Sequence, residues 1–439
     1  MKGSSSSSSL WPIKRRLRSL VVAAACLAAG QAEARIYIQV DQPSEKKFPI
    51  AVVNLVASDG EESRDWSNKV AETIRKNLGM TGLFDLIPQD QFPSSGGALA
   101  TNPAGIQFPP WSLIGAQALV NGSYTKGKEG VKIELHLYDP FLGQHILGRN
   151  YTAKAGETSV VAHHFADEIM RELTGEQGVF STKVAYVQSG KKVKEIGVMD
   201  MDGGSARSIT KDKTINLSPA WSPDGGSIAY TTFSRNENME VAMVGSGGGP
   251  PRRITMNGNV NLSPAWSPGG ALTIASMSGG EDADLYILSM NGSLTKKLAP
   301  SYGIDVNPSW APDGSAFVFA SERAGKLHLF KADAGGGGVE RLTFVGSQND
   351  NPAWSPKGDK IAFQSLSGGW DLFVMNTDGS QIQRLTSTGN CESPTWAPNG
   401  RFLAASCGGK VVVMREDGSN VTPVGPGGSH QPSWGPWVK

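Results

Sequence analysis

Six times in the second half of the chain, a proline, a tryptophan and a tight turn follow one another at a near-constant interval. The copies are Ser218-Pro-Ala-Trp221, Ser263-Pro-Ala-Trp266, Asn307-Pro-Ser-Trp310, Asn351-Pro-Ala-Trp354, Ser393-Pro-Thr-Trp396 and Gln431-Pro-Ser-Trp434. The tryptophans are 45, 44, 44, 42 and 38 residues apart. A period near 44 suits one four-stranded propeller blade. After each of the first five tryptophans comes a Pro-x-Gly turn, then a short apolar run such as Ile228-Ala-Tyr230 or Phe317-Val-Phe319. Proline presets φ and glycine accepts positive φ, so these two segments fold back as a hairpin. A third strand follows, for example Leu372-Phe-Val374. A fourth ends in Arg341-Leu-Thr343 or Arg384-Leu-Thr386. Each tryptophan is expected to pack between neighbouring blades, where burying the ring contributes about 2–3 kcal/mol.

The ends of the repeat complete each other. The segment from Val184 to Thr210 has three strands and no tryptophan motif before it, while the motif around Trp434 has no blade after it. The C-terminal segment therefore supplies the innermost strand of the blade begun at residue 184. Six blades result, with no open edge in the ring.

Residues 1–34 read as an export signal. Lys14, Arg15, Arg16 and Arg18 precede an apolar stretch from Leu20 to Ala29 that is too short for a stable anchor. Small residues allow cleavage after Ala32 or after Ala34. A lipoprotein site at Cys26 is the weaker reading, because Ala23 stands where a larger aliphatic is preferred. Ser4 to Ser9 is low in complexity. The formal charge is +1, but without the first 34 residues 36 basic face 39 acidic residues. Clustered Lys and Arg are missing, which argues against a nucleic-acid partner.

Residues 35–178 have the texture of a small α/β domain, and residues 179–439 that of an all-β propeller. Phe48 to Leu55 reads as a buried strand. Trp66, Val70, Ile74 and Leu78 mark an amphipathic helix capped at Gly79, and a short helix is expected near Trp111 to Gln117. Val131 to Tyr138 alternates with period two and turns at Asp139-Pro140 into His145 to Tyr151. Val161, Phe165, Ile169 and Leu173 mark a second helix closed by Gly175.

Catalytic constellations are scarce. His163 and His164 are adjacent, so they point in different directions on a helix and cannot form the i, i+4 zinc pair; they read as helix-surface residues. His136, His145, His328 and His430 read as isolated. There is no Gly-x-Ser-x-Gly elbow and no phosphate-cradling loop. The Asp-Gly pairs lack the calcium-loop ladder and read as turns. Trp370-Asp371 occurs once, out of phase with the repeats, and reads as coincidence. The repeats also resemble the propeller of prolyl-oligopeptidase-like serine peptidases, but residues 35–178 are too few for their hydrolase domain and hold no serine elbow. A propeller hydrolase with a channel-bound metal, and a peptidoglycan- or sugar-binding module, remain as alternatives to a binding scaffold. No cofactor or metal set is expected. Cys391 and Cys407 flank one hairpin almost opposite each other, either as a cross-strand disulfide or as two small buried residues.

Several stretches together resemble the TolB family, periplasmic propeller proteins of the Tol–Pal envelope system of Gram-negative bacteria. They are Glu33 to Ile38 leading to Pro49 to Val53, Trp111 to Gly115 followed by Ala118 to Gly122, Ala166 to Ile169, Leu173-Thr-Gly-Glu-Gln-Gly-Val-Phe180, Ala185 to Val187, and the six repeats with Val345 to Asn349. The Leu173–Phe180 stretch is the most specific, because it sits at the junction where the family has it. The long serine-rich leader and the extra glycines at 247–249 and 335–338 depart from the pattern.

The resemblance implies a non-enzymatic, monomeric periplasmic scaffold, peripheral to the outer membrane and serving its integrity and cell division. It implies contacts with the peptidoglycan-associated lipoprotein Pal, with TolA, and with other envelope lipoproteins or porins. Its Pal-type site is expected on the loops entering the tryptophan strands: Asn261, Leu262 and Ser263; Asp305, Val306 and Asn307; Gln348, Asn349 and Asp350. Polar loops there suit a wet interface. Its TolA-type site is expected in the mature N-terminal strand, where Ile36, Ile38 and Val40 alternate with Arg35, Tyr37 and Gln39, a pattern able to add to a sheet edge. Asp41 to Lys47, with Pro43, reads as a hinge; a fixed edge strand of the first domain is the alternative.

Overall fold

The computed structural model describes residues 38, 47–60, 62–63, 65–94, 105–128, 130–154, 156–233, 238–254, 260–278 and 280–437. The export signal, Arg35, Ile36, Tyr37, Gln39, Val40 and the hinge up to residue 46 lie outside the described residues. All the elements below belong to one unit, Gln39–Lys439.

Among the described residues, six strands and three α-helices form an α/β layer. The strands are β1 (Phe48–Val52), β2 (Val56–Ala57), β3 (Phe84–Leu86), β4 (Ala118–Lys126), β5 (Val131–Asp139) and β6 (Gln144–Ala153). The helices are α1 (Val70–Met80), α2 (Pro109–Leu113) and α3 (Thr158–Thr174). The sheet runs β3-β1-β4-β5-β6, with β2 also paired to β4. β1 is parallel to β3 and β4, whereas β4, β5 and β6 form an antiparallel meander. Val70, Ile74 and Leu78 on α1 and Val161, Phe165 and Ile169 on α3 are buried, as their four-residue recurrence requires. Gly79 does not cap α1, which continues to Met80; Thr81 is the cap, and the left-handed glycine is Gly82 at φ 70°. Gly175, at φ 73°, closes α3 by donating to the Arg171 carbonyl.

Six four-stranded antiparallel sheets form the propeller. With strands lettered A to D from the axis outward, the A strands of blades 1 to 6 are Asn216–Trp221, Asn261–Trp266, Asp305–Trp310, Gln348–Trp354, Cys391–Trp396 and Ser429–Trp434. Glycines 225, 270, 314, 358 and 400 take φ between 65° and 82° in the A–B turns, a conformation cheap for glycine alone. Blade 6 joins the two ends of the repeat: Ser429–Trp434 pairs with Lys183–Ser189, Trp434 opposite Val184. The seam it makes with blade 1 is a core like the others, with Val187, Ile196 and Val198 against Trp221, Ile228 and Tyr230.

The tryptophans also bond across seams. The indole N–H of Trp221 donates to the Ser433 carbonyl at 3.0 Å, that of Trp266 to Ala220 at 3.2 Å, that of Trp310 to the Thr273 hydroxyl at 3.0 Å and that of Trp396 to Ala353 at 2.9 Å. Trp434 donates to Thr182 at 2.8 Å, at the entry to blade 6. Trp354 differs: its buried indole nitrogen has no partner among the described residues.

The α/β layer sits on the face of the ring that carries the A–B and C–D turns. Arg401 in the blade 5 A–B turn donates to both carboxylate oxygens of Glu176, and Asn399 donates to the Gln177 carbonyl. Arg415 and Asn420 reach the carbonyls of Thr81 and Met80 at the end of α1. The Leu173–Phe180 stretch is therefore the junction itself. A Cβ on Gly178 would stand 2.3 Å from Asp167 Oδ1, and Asp167 accepts from the Phe180 amide at 2.7 Å.

Two histidine readings are corrected. His163 is 4 % exposed rather than on a helix surface, because the propeller covers the face of α3 that the sheet leaves free. His136 and His145 are not isolated: adjacent strands β5 and β6 bring their ring nitrogens within 3.0 Å of each other.

Candidate partner-binding face

The free face of the ring carries the D–A connections, opposite the α/β layer. Around its axis stand the six residues that precede the motif prolines: Ser218, Ser263, Asn307, Asn351, Ser393 and Gln431. With those prolines they line a shallow funnel of about 140 Å³. All six have left-handed backbone, φ 46° to 55°. At each copy the A–B register shifts, for instance between Val306 and Ser309. Proline has no N–H to give to the ladder, so the strand bulges there, and the residue before it takes up the turn. The cost is of order 1 kcal/mol per residue.

Side chains link part of this ring. Ser263 Oγ donates to Asn307 Oδ1 at 2.5 Å, and Asn307 Nδ2 to Asp350 Oδ1 at 2.7 Å. Burial pushes the Asp350 carboxyl up, against the pull of the Asn307 amide and the Asn351 N–H. Gln431 Oε1 accepts from the Ser218 amide at 3.0 Å across the closing seam.

The nine residues expected in Pal-type contacts all lie in the A strands of blades 2, 3 and 4 rather than in loops. Asn261, Asp305 and Asn349 are buried, which corrects the expectation of a solvated surface for them. Each lies at or next to the start of its strand and holds it to the blade before. Asn261 donates to the Met239 carbonyl at 3.3 Å, the Asp305 amide to Ala283 at 2.7 Å, and the Asn349 amide to Leu327 at 2.8 Å. Burial pushes the Asp305 carboxyl up even though Arg323 donates to both of its oxygens, at 3.0 and 3.1 Å. Ser263 is also largely buried, Leu262, Val306, Asn307 and Asp350 are half-buried, and Gln348 is exposed.

Sequence reasoning passed over the most exposed apolar groups on this face. Tyr302 is 95 % exposed, Phe344 71 % and Val345 63 %. They stand in the D–A connections before blades 3 and 4, and the Arg341 guanidinium lies 4.9 Å from the Phe344 ring centre. Large apolar residues inside turn segments between Thr or Ala and a strand start were the available signal.

It also passed over a clasp at the start of the C strand in five of the six blades. Asp371 accepts from Arg384 at 2.5 Å, from the Thr386 hydroxyl at 2.8 Å and from the Gly389 amide at 3.2 Å. Glu195 with Thr210, Glu240 with Arg253, Asp284 with Lys297 and His328 with Thr343 occupy the same place in other blades. Trp370-Asp371 is thus in phase with the repeat, which corrects its reading as coincidence. The blade 5 hairpin places Cys391 directly opposite Cys407, with the sulfurs 2.09 Å apart.

Comparison with known proteins agrees with this architecture. A family model described as the TolB amino-terminal domain matches residues 36–146, and one described as the TolB beta propeller domain matches residues 170–438. The chain is 35 % identical over 223 residues to a Tol-Pal system protein TolB of Anaeromyxobacter sp., covering 49 % of this chain and 50 % of that one. It is 34 % identical over 221 residues to a protein of the same description from Desulfosudis oleivorans, with 50 % of each covered. The chain thus spans about half the length of the curated relatives it matches. The crystal structure of TolB from Acinetobacter baumannii superposes with a TM-score of 0.75 at 25 % identity, over 90 % of this chain and 98 % of that one. With its propeller and its α/β layer each matched by the corresponding domain model, the chain belongs to the TolB family.

Proposed function

We propose that the chain is a non-catalytic periplasmic scaffold of the Tol–Pal system, serving outer-membrane integrity and cell division. Its free propeller face docks a Pal-type lipoprotein, and its mature N-terminal segment, Arg35 to Val40, docks TolA. The observation that carries the reading is the exposure of Tyr302, Phe344 and Val345 on a face that the protein's own α/β layer leaves open. Exposed aromatic anchors are what a protein interface uses for its energetic centre. The relatives' description as Tol-Pal system proteins supports the choice of partner. In an oxidising periplasm the Cys391–Cys407 bridge persists.

The test is titration of the mature protein with the soluble domain of a Pal-type lipoprotein. Tyr302→Asp and Phe344→Asp should each weaken binding by about tenfold or more, as loss of an interface anchor does, with the melting temperature unchanged. Unaltered affinity in both variants would remove this face from the assignment. Deleting residues 33–41 should abolish TolA binding and leave lipoprotein affinity intact; retained TolA binding would end the docking-strand role.

A further inference from the structure

On the opposite face, where α3 meets blade 6, three metal-ligating side chains converge from the two layers. His163 comes from α3, Asp200 ends the C strand of blade 6 and Asp202 lies in the turn that follows. All three are buried, and one donor atom of each lies within 4.8 Å of the others. We propose that His163, Asp200 and Asp202 form a site for a divalent transition-metal ion, zinc in the first instance, that staples the α/β layer to the propeller.

The turn shows why these carboxylates are available. Asp202 Oδ1 accepts from the Gly204 amide at 2.9 Å, as Asp378 Oδ1 does from Ser380 and Asp417 Oδ1 from Ser419 in blades 4 and 5. Closing the turn therefore needs one oxygen. In blades 4 and 5 this aspartate is exposed. In blade 6 helix α3 covers it, and Oδ2 lies 3.5 Å from His163 Nε2. Position 200 is asparagine in blade 4 (Asn376) and arginine in blade 5 (Arg415), so blade 6 alone of these three adds a second carboxylate. Gly204 makes room for both: a Cβ there would stand 3.0 Å from Asp202 Oδ1 and 3.2 Å from Asp200 Oδ2.

A second observation points to a ligand. His163 Nε2 is fully buried and aimed into the cluster, where its nearest acceptor is Asp202 Oδ2 at 3.5 Å and no well-formed hydrogen bond satisfies it among the described residues. Its 3.5 Å spacing from Asp202 Oδ2 is close to the roughly 3.4 Å between two ligands of a tetrahedral zinc bound at about 2.1 Å. One imidazole and two carboxylates neutralise the ion and leave a position open. That position faces a cavity of about 390 Å³ lined in part by Val160, His164, Lys183 and Trp221.

Two lysines now hold the carboxylates. Lys183 Nζ is 2.6 Å from Asp200 Oδ1, and Lys76 Nζ donates to the Asp202 main-chain carbonyl at 2.6 Å and lies 3.7 Å from Asp202 Oδ2. Both side chains are about half exposed, so each can swing into water when the ion enters. Arg207 adds positive charge at the cavity wall and opposes the ion. The site therefore belongs to a transition metal that imidazole favours rather than to calcium or magnesium.

The experiment is calorimetric titration of zinc into the chelator-stripped mature protein, with melting curves alongside. The exposed His136–His145 pair is a competing zinc ligand, so His145→Gln is included as a control. The expected result is one ion per chain, a higher melting temperature with zinc, and both effects kept in His145→Gln. His163→Gln should weaken binding at least tenfold and abolish the thermal shift. Should His163→Gln fail to fold, Lys183→Met decides: it removes a competitor without touching a ligand and should tighten binding several-fold. No saturable binding, binding lost in His145→Gln, or affinity unchanged in both His163→Gln and Lys183→Met would each overturn the site.

Discussion

At the scale of single residues, most blades carry a polar clasp at the start of the C strand, and in two of them its acid, Asp284 or Asp371, is buried. Asp371 is 2 % exposed, and its carboxyl feels two opposed effects. Burial pushes its pKa up, but Arg384, Thr386 and the Gly389 amide outweigh burial and leave it below the ordinary carboxylate value. A folded-state pKa below the unfolded one means that the native state binds the proton less tightly. The clasp's contribution is therefore complete above the unfolded value, near pH 4, and is lost as pH falls through the lower folded value. Asp371→Asn should destabilise the protein by about 1–3 kcal/mol at neutral pH and flatten the acid side of its stability curve. Denaturant midpoints measured from pH 7 to pH 3 check this; a variant curve parallel to the parent's down to pH 3 would show that the clasp does not titrate as argued.

At the scale of the strand, the six A strands share one device: a bulge at the motif proline with a left-handed residue before it. Ser393 is the cleanest place to test it, since it has φ 55° and its amide, not its hydroxyl, meets Gln364 Oε1 at 2.8 Å. A β-branched side chain resists left-handed backbone, whereas glycine accepts it. Ser393→Val should destabilise by about 1–3 kcal/mol, and Ser393→Gly should lie within about 1 kcal/mol of the parent. Thermal melts rank the two; a valine variant as stable as the glycine variant would mean that the strand can relax out of the bulge.

At the scale of the whole molecule, ring closure is the feature with the largest reach. Deleting everything after Gly428 removes the A strand of blade 6, exposes the edge at Lys183–Ser189 and withdraws the Ser433 carbonyl from Trp221. It also removes Trp437, whose indole N–H donates to the Gly178 carbonyl at the junction with the α/β layer. The truncated protein should lose its cooperative melt or aggregate, because an unpaired edge templates association. A melting curve like that of the full chain would refute closure as the source of the ring's stability.

How far the sequence reached follows from what is local. Blade number, the strand and turn order within a blade, the joining of both ends in blade 6 and the two amphipathic helices were legible, because a 44-residue period, Pro-x-Gly turns and four-residue apolar recurrence act within a short stretch of chain. The residues at the strand starts were legible as a place but not as a surface. Asn261, Asp305 and Asn349 are polar, and polarity alone does not say that a seam to the preceding blade will bury them while Tyr302 and Phe344 stay in water. His163 was misread for the same reason: one turn of α3 cannot show that blade 6 will cover it. The Arg401–Glu176 pair joins residues 225 apart in the chain, and the convergence of His163 with Asp200 and Asp202 depends on the same docking. By itself the sequence determined the elements and their count, since these rest on local backbone preference and periodicity. Only the tertiary structure decided which polar groups are buried clasps, which apolar groups face a partner and which side chains meet, because burial is settled by segments that pack together from distant parts of the chain.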